Sequence, residues 1–509
     1  MESKSSESRS SDSSSHGGNR SNSDSSSSDC LEWLIKNTLT ANEEQQLSHH
    51  VTEIHNLAKL KHSQEDIDSH VEYIKTRVIQ PILDKFNKML PALAVDDILL
   101  NGSMSNRSKI ELPNEIDFVL PMALSRYVVI SPTDSDVEDN EPGQLDVKIP
   151  DDPHTDLLNL TKEHPKLIEY GNSLDPEYLT ESIIHKVVAE CLSQLHNEGV
   201  LIYKGRENLE NKSAESYELE ENEVILDEGP HGPCVNLRMW GPLGVTDIDL
   251  TFCLKILNIP QLPYTEDTFY MGLPMRLRWG KSFYEKPHLR ASRIDDHHRI
   301  ILKGLKYILS QCEKALVDKI KFYSHALFTI TRNHKEQCDN SERDPSLAKC
   351  YCDISYNISK LGLRSLENTT NVDLSKKCLE DLCDIDCPDM YICKSGDHGI
   401  IIATRIFLLA VYILPEILKS TRISSPEFYS EYLKLVFKEC KLEYWKQYLL
   451  HYPFSTLTSG EREAISSIQD MEELYEYDFG YYDDSFAVDT ERILSRLKPK
   501  ITSLLSNIQ

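Results

Sequence analysis

No apolar run in the 509-residue chain is long enough to cross a bilayer. The longest, Gly399 to Leu414, is about 16 residues, holds Arg405 and is followed by Pro415, whereas an unaided helical crossing needs about 20. The first residues are Ser, Glu, Lys and Arg with no apolar segment, so a secretory leader is not expected. Positive charge is scarce: 55 Lys+Arg face 82 Asp+Glu, a net charge of −27. That balance excludes a protein that coats nucleic acid or anionic membrane with its whole surface, and any polyanion site must be a local basic island. Cysteine is present, but its pattern is not that of a disulfide framework: 13 residues, an odd count at irregular spacing, argue against a secreted scaffold. A P-loop is also missing, because Gly280-Lys281-Ser282 has Met275 where the motif needs its first glycine. These absences predict a cytoplasmic, acidic protein without a membrane partner.

The chain changes texture along its length. Residues 1–30 form a Ser/Asp/Gly/Asn tract without hydrophobic period and are expected to stay disordered. Ile67, Val71, Ile74, Val78, Ile82 and Phe86 recur at helical spacing and predict a long spine helix, with Pro81 bending it or marking a join. Strand-like pieces follow, clearest at Ile116 to Met122, Val235 to Trp240 and Val245 to Leu257. Two acidic insertions, Pro132 to Asp156 and Glu207 to Glu228, read as solvated loops that repel polyanions. From about Asp295 a helical period returns and largely persists to the end. The expected fold class is α+β: a tail (1–30), a spine helix with a mixed α/β lobe (31–260), and an α-helical C-terminal lobe (261–509). Between Arg276 and Lys335, 14 lysines and arginines stand against five acids, a local balance of +9, which suggests a phosphate-facing surface.

The most informative stretch runs from Leu100 to Pro121. Gly102-Ser103 sits in a turn, and twelve residues after Ser103 comes Glu115-Ile116-Asp117 in an apolar strand. Alternation puts Glu115 and Asp117 on one strand face, about 7 Å apart. Two half-buried carboxylates repel unless a cation lies between them, and hard oxygen donors suit Mg²⁺ or Mn²⁺. Gly102 lets the backbone approach a phosphate, to which Ser103 can donate. A third acid is available from Val245-Thr-Asp-Ile-Asp-Leu-Thr251, where Asp247 and Asp249 share a face. Such a set would form a two-metal clamp for nucleotidyl transfer at an α-phosphate.

Asn101-Gly-Ser103, Pro113-Asn-Glu-Ile-Asp117 and Val245-Thr-Asp-Ile-Asp-Leu-Thr251 resemble the cyclic GMP-AMP synthase-like receptors of the wider male-abnormal (mab) nucleotidyltransferase family. The resemblance extends through Gly232-Pro-Cys-Val-Asn-Leu237, Trp279-Gly-Lys-Ser-Phe283, Leu302-Lys-Gly-Leu-Lys-Tyr307 and Phe322-Tyr-Ser-His325, covering most of residues 65–335. It implies a bilobal enzyme with two Mg²⁺ or Mn²⁺ ions on Glu115, Asp117 and Asp249, with Asp247 as the alternative to Asp249. It further implies phosphate contacts from Gly102, Ser103 and Lys306, a donor base or sugar contact from Ser324, and a nucleotide contact from Lys281. The implied substrates are ATP and GTP or another nucleoside triphosphate. The implied product is a cyclic dinucleotide like 2′,3′-linked cyclic GMP-AMP, read by a downstream receptor in antiviral innate immunity. A double-stranded nucleic acid would activate it along the spine (Lys75, Arg77, Lys85, Lys88) and the basic segment. A linear oligonucleotide transferase or a catalytically silent mab-type scaffold are the alternatives.

The sequence departs from the family pattern in two places. Gly280 stands where an arginine often contacts the acceptor base, leaving Lys281 or Arg278 as substitutes. The zinc thumb of the animal synthase is missing, since Tyr284 to Leu305 holds His288, His297 and His298 but no cysteine. Because the thumb accompanies DNA, double-stranded RNA is the favoured ligand. Seven cysteines between Cys338 and Cys393, flanked by His334 and His398, leave a zinc site open as the alternative, but they lack C-x₂-C spacing and read first as scattered reduced thiols.

Overall fold

The computed structural model describes residues 39–133, 144–168, 170–209, 212–230, 232–257, 265–275, 278–316, 320, 322, 324–338, 346–367, 378–380, 389–391, 398–419, 426–451, 454–466 and 486–508. The Ser-rich tail and the acidic, tyrosine-rich stretch near residues 472–484 lie outside them.

The protein is α+β. Its order begins with helix α1 (Ala41–Ala58), whose Thr40 and Glu43 form a reciprocal cap, and α2 (Gln64–Ile74), capped the same way by Ser63 and Asp66. A π-helical turn, Lys75–Ile79, then leads into α3 (Gln80–Met89). Pro81 explains the join: it has no N–H to give Arg77, and the ladder widens just before it, with Gln80 N–H bonding back to Lys75 O. The spine is therefore one helical rod with an inserted turn. Its buried face (Ile74, Val78, Ile82, Phe86) packs on the sheet, where the Phe86 and Phe252 rings lie 5.1 Å apart.

Strands β1 (Leu99–Asn101), β2 (Glu115–Pro121), β3 (Val129–Pro132), β4 (Gln144–Lys148), β5 (Ile202–Glu207), β6 (Glu223–Asp227), β7 (Cys234–Gly241), β8 (Gly244–Lys255), β9 (Thr268–Pro274) and β10 (Trp279–Glu285) form one mixed sheet. Strand β8 is the branch point. Its first part pairs with β7 on one edge and, in parallel, with β2 on the other, while its end pairs with β9. Short α4 (Gly102–Ser105) links β1 towards β2, and α5 (Thr155–Glu163) and α6 (His185–Asn197) flank the sheet.

Helices α7 (Pro287–Ser292), α8 (Asp296–Ala315), α9 (Ser324–Gln337), α10 (Leu347–Glu367), α11 (His398–Lys419), α12 (Pro426–His451), α13 (Ser459–Ser466) and α14 (Phe486–Ile508) follow, with a small hairpin of β11 (Cys378–Glu380) and β12 (Asp389–Tyr391). No helix among the described residues is long and apolar enough to cross a membrane.

Several expectations are revised. The acidic insertions are not simply loops: β4 and the start of α5 lie in the first, and β6 in the second. Strand β4 reads poorly because Gln144, Asp146 and Lys148 alternate with only two apolar residues, Leu145 and Val147, which are the buried ones. Residues 134–143 lie outside the described set. The boundary expected at 260 falls between β8 and β9, inside the sheet. Buried apolar residues form two main cores, one of sheet and spine and one of helices, and α1 contributes Leu47, Val51 and Ile54 to the helical one although it precedes the spine.

The +9 segment is not a single basic face either. Lys286 pairs with Asp267, Arg293 with Glu285, Arg299 with Asp296, Lys314 with Glu111 and Lys335 with Glu336, and Arg332 is buried. Arg276, Lys319 and Lys321 lie outside the described residues.

Candidate active site

Strands β2 and β8 run parallel in a register that sets Glu115 beside Asp247 and Asp117 beside Asp249. Apolar residues alternate with these acids (Ile116, Phe118, Ile248 and Leu250 are buried), so the core locks the register and turns every acid to the other face. Carboxylate oxygens of Glu115, Asp117 and Asp249 all lie within 4.8 Å of one another.

Asp247 is otherwise engaged. Arg238 of β7, its register partner, donates from Nε to Asp247 Oδ1 at 2.6 Å and from Nη2 to Oδ2 at 3.0 Å. Arg238 also reaches Lys212 O at 2.8 Å and lies 4.4 Å from the Tyr217 ring centroid. Asp249 Oδ1, by contrast, is enclosed with no hydrogen-bond donor. Of the two candidate third acids, Asp249 is the one with coordinating capacity to spare.

The electrostatics agree with that geometry. Burial, then repulsion from Asp117 and Glu115, pushes the Asp249 carboxyl up to about 8. Burial, then Glu115, raises Asp117 to about 6. Lys109, buried in the loop after α4, answers part of this charge by an ion pair to Glu115 Oε2 at 2.6 Å.

Gly102 opens α4 with φ of +63° directly above Asp117. A Cβ at this position would lie 1.7 Å from Asp117 Oδ2, so only glycine leaves room for the carboxylate. Asn101, register partner of Asp117, accepts from Arg290 Nη1 of α7 at 2.7 Å. Lys306 of α8 donates to Ser108 O at 3.1 Å; burial, then Lys109, draws its ammonium down to about 8. Glu111, held with positive φ, receives Ser310, Gln311 and Lys314 and so ties the loop after α4 to α8.

Above the acids lies a cavity of about 840 Å³ between sheet and helices, whose lining includes Gly102, Ser103, Glu115, Asp117, Lys306 and Ser324. Asp249 stands beside Asp117, outside that lining. Lys281 is placed elsewhere, on β10 with its ammonium 5.2 Å from the Tyr270 ring centroid, and does not line the cavity. Lys109 and Arg290 line it as well, and no sequence motif marks either. Lys109 lies six residues before Glu115, and Arg290 belongs to the basic segment, but neither spacing tells which cation turns inward. Ser213 and Glu215 of the second acidic insertion also reach the cavity, so this insertion is more than a solvated loop.

The residues suit hard divalent cations: an oxygen-only donor set, an enclosed acceptor without a donor, and a glycine cradle. Together they can hold cations, receive phosphate oxygens on Gly102-Ser103 and offset their charge with Lys306, Lys109 and Arg290. No protein-family model matches this chain, and no curated protein matches it either.

Proposed function

We propose that this chain is a bilobal, metal-dependent nucleotidyltransferase that makes a cyclic dinucleotide, similar to 2′,3′-linked cyclic GMP-AMP, from ATP and GTP or another nucleoside triphosphate. The observation that carries the reading is the convergence of Glu115, Asp117 and Asp249 within 4.8 Å beside the Gly102 cradle. The cyclic product and its signalling role in antiviral innate immunity, through a downstream cyclic-dinucleotide receptor, rest on the motif resemblance alone.

Glu115, Asp117 and Asp249 would hold two Mg²⁺ or Mn²⁺ ions. When bound, such ions lower the pKa of an attacking ribose hydroxyl and neutralise charge on a leaving pyrophosphate. The chain's own groups do the rest. Ser103 and the N–H groups of its turn take phosphate oxygens, Lys306 and Arg290 stabilise charge on the triphosphate, and Ser324 meets the donor base or sugar. Arg238 keeps Asp247 paired and so spares the site a fourth uncompensated acid.

Activation by double-stranded nucleic acid, RNA before DNA, is the accompanying proposal. Its support narrows on the spine, because Lys85 is paired with Glu198 at 2.7 Å, which leaves Lys75, Arg77 and Lys88 as the cations for phosphate contact. The setting would be cytoplasmic.

The test supplies full-length protein with labelled nucleotides, Mn²⁺ and double-stranded RNA or DNA, and separates products by chromatography. Phosphatase-resistant cyclic dinucleotide, lost in Glu115→Ala/Asp117→Ala, is the expected result. Linear oligomers would favour the template-independent transferase, and absence of pyrophosphate under all conditions would favour a silent scaffold.

A further inference from the structure

A second cluster of metal-ligand side chains lies in the helical core, away from the acidic triad. His298 in the first turn of α8, His334 in the last turn of α9, Cys338 one residue beyond α9, and Cys350 on α10 bring one ligand atom each within 4.8 Å of one another. His334 and Cys338 are four apart, which puts both on one side of α9 as it ends. The Cys338 and Cys350 sulfurs are 3.5 Å apart and are not joined as a disulfide. Two thiolates on a tetrahedral zinc, each at about 2.3 Å, would stand about 3.8 Å apart. Only a small adjustment separates the observed pair from that edge.

The imidazoles are oriented for the same role. His298 Nδ1 faces the Asp295 carboxylate at 2.8 and 3.0 Å, which leaves Nε2 as its outward atom, and that atom is enclosed without a hydrogen-bond partner. His334 Nε2 is likewise enclosed and unpartnered. A carboxylate on the far nitrogen of a ligating histidine fixes its tautomer and strengthens it as a ligand. Two enclosed ring nitrogens without partners, on histidines clustered with a pair of thiols, are costly unless something accepts their lone pairs.

We infer that His298, His334, Cys338 and Cys350 form a structural zinc site that clamps α8, α9 and α10 together. Two thiolates and two neutral imidazoles around Zn²⁺ sum to no net charge, which suits a partly buried position. Binding releases the two thiol protons to solvent. The soft donors select zinc over the Mg²⁺ or Mn²⁺ suited to the acidic triad. This is not a thumb inserted between Trp279 and Tyr307, since three of its four ligands lie beyond that interval. For Cys338 and Cys350 it would replace the reading as scattered thiols; Cys383, Cys387 and Cys393 lie outside the described residues. The clamp would hold the two helices that bring Lys306 and Ser324 to the cavity.

Full-length protein, purified under reducing conditions and gel-filtered, should carry about one zinc per chain by elemental analysis. Its zinc X-ray absorption should fit two sulfur and two nitrogen neighbours. Cobalt(II) exchanged into the site should show thiolate charge-transfer absorption. Cys338→Ser/Cys350→Ser should lose the metal, while Cys352→Ser and Glu115→Gln/Asp117→Asn should keep it, the last separating this site from the proposed catalytic one. Should the double cysteine variant not fold, the absorption spectrum of the wild-type protein still decides. Protein that stays zinc-free after incubation with zinc, or a first shell of oxygen and nitrogen only, would overturn the inference.

Discussion

Replacing Asp249 by asparagine separates what the acidic site costs from what it does. In the metal-free protein, Asp249 has one oxygen enclosed without a donor, and burial together with the Asp117, Glu115 and Asp247 carboxylates raises its pKa from 3.8 to about 8. A carboxyl raised on folding leaves stability intact below its unfolded value and erodes it as pH climbs through the folded value. The loss therefore runs from about pH 4 to about pH 8. At pH 7 it amounts to roughly 4 kcal/mol, from 1.36 kcal/mol for each pH unit above 3.8. Asparagine carries no charge to desolvate. Metal-free Asp249→Asn is thus expected to be more stable than wild type at pH 7 by about 2–4 kcal/mol, with the gap closing near pH 4. Adding Mn²⁺ should stabilise wild type and leave the variant unchanged. Urea denaturation of full-length protein, in chelator and in Mn²⁺ across this pH range, reads both effects. A variant less stable than wild type at pH 8 in chelator, or one that gains as much from Mn²⁺, would refute the reasoning.

Gly102→Ala should abolish turnover and lower stability by more than about 1 kcal/mol, because a left-handed backbone and a Cβ 1.7 Å from Asp117 Oδ2 are both unfavourable; activity and denaturation midpoint check it. Arg238→Ala strands Asp247 beside the triad and should cost roughly 1–3 kcal/mol, less than a fully buried pair because the Asp247 side chain is 24% exposed, with recovery in Arg238→Ala/Asp247→Ala. Lys306, drawn down to about 8, is charged below that pH and loses its proton above it, so nucleotide affinity should weaken on the alkaline side. Lys306→Arg should flatten that limb in a titration of a labelled non-hydrolysable nucleotide, whereas Lys306→Ala should weaken binding at every pH.

Much of the site's backbone is readable from local pattern. Ile116, Phe118, Ile248 and Leu250 alternate with acids, and two such strands already declare a face crowded with carboxylates. What local pattern does not carry is which strands meet. What favours Asp249 over Asp247 as a third donor is Arg238, ten or so residues upstream on a third strand and paired with Asp247, and nothing in its immediate neighbours marks it as a buried partner. Strand β4 was hidden because its exposed face is charged and only Leu145 and Val147 turn inward. The basic segment contributes less than its count: charge counted along a chain ignores acids such as Glu111 and Asp267 that arrive from elsewhere, although Arg290 and Lys306 do line the cavity. His334 and Cys350 likewise belong to separate helices, and their meeting depends on tertiary packing alone.

The placement of α1 has a consequence for anyone shortening this protein. Its Leu47, Val51 and Ile54 are wedged among residues that come hundreds of positions later, so a version starting at the spine would leave a gap in the helical half rather than shed an idle leader. At about 1.5–3 kcal/mol for each such side chain removed from its seat, that half would be the first to loosen. The polypeptide also passes from the helical core to the sheet-and-spine core after Ala58 and back again after Glu285, so two separate connections tether the walls of the cavity.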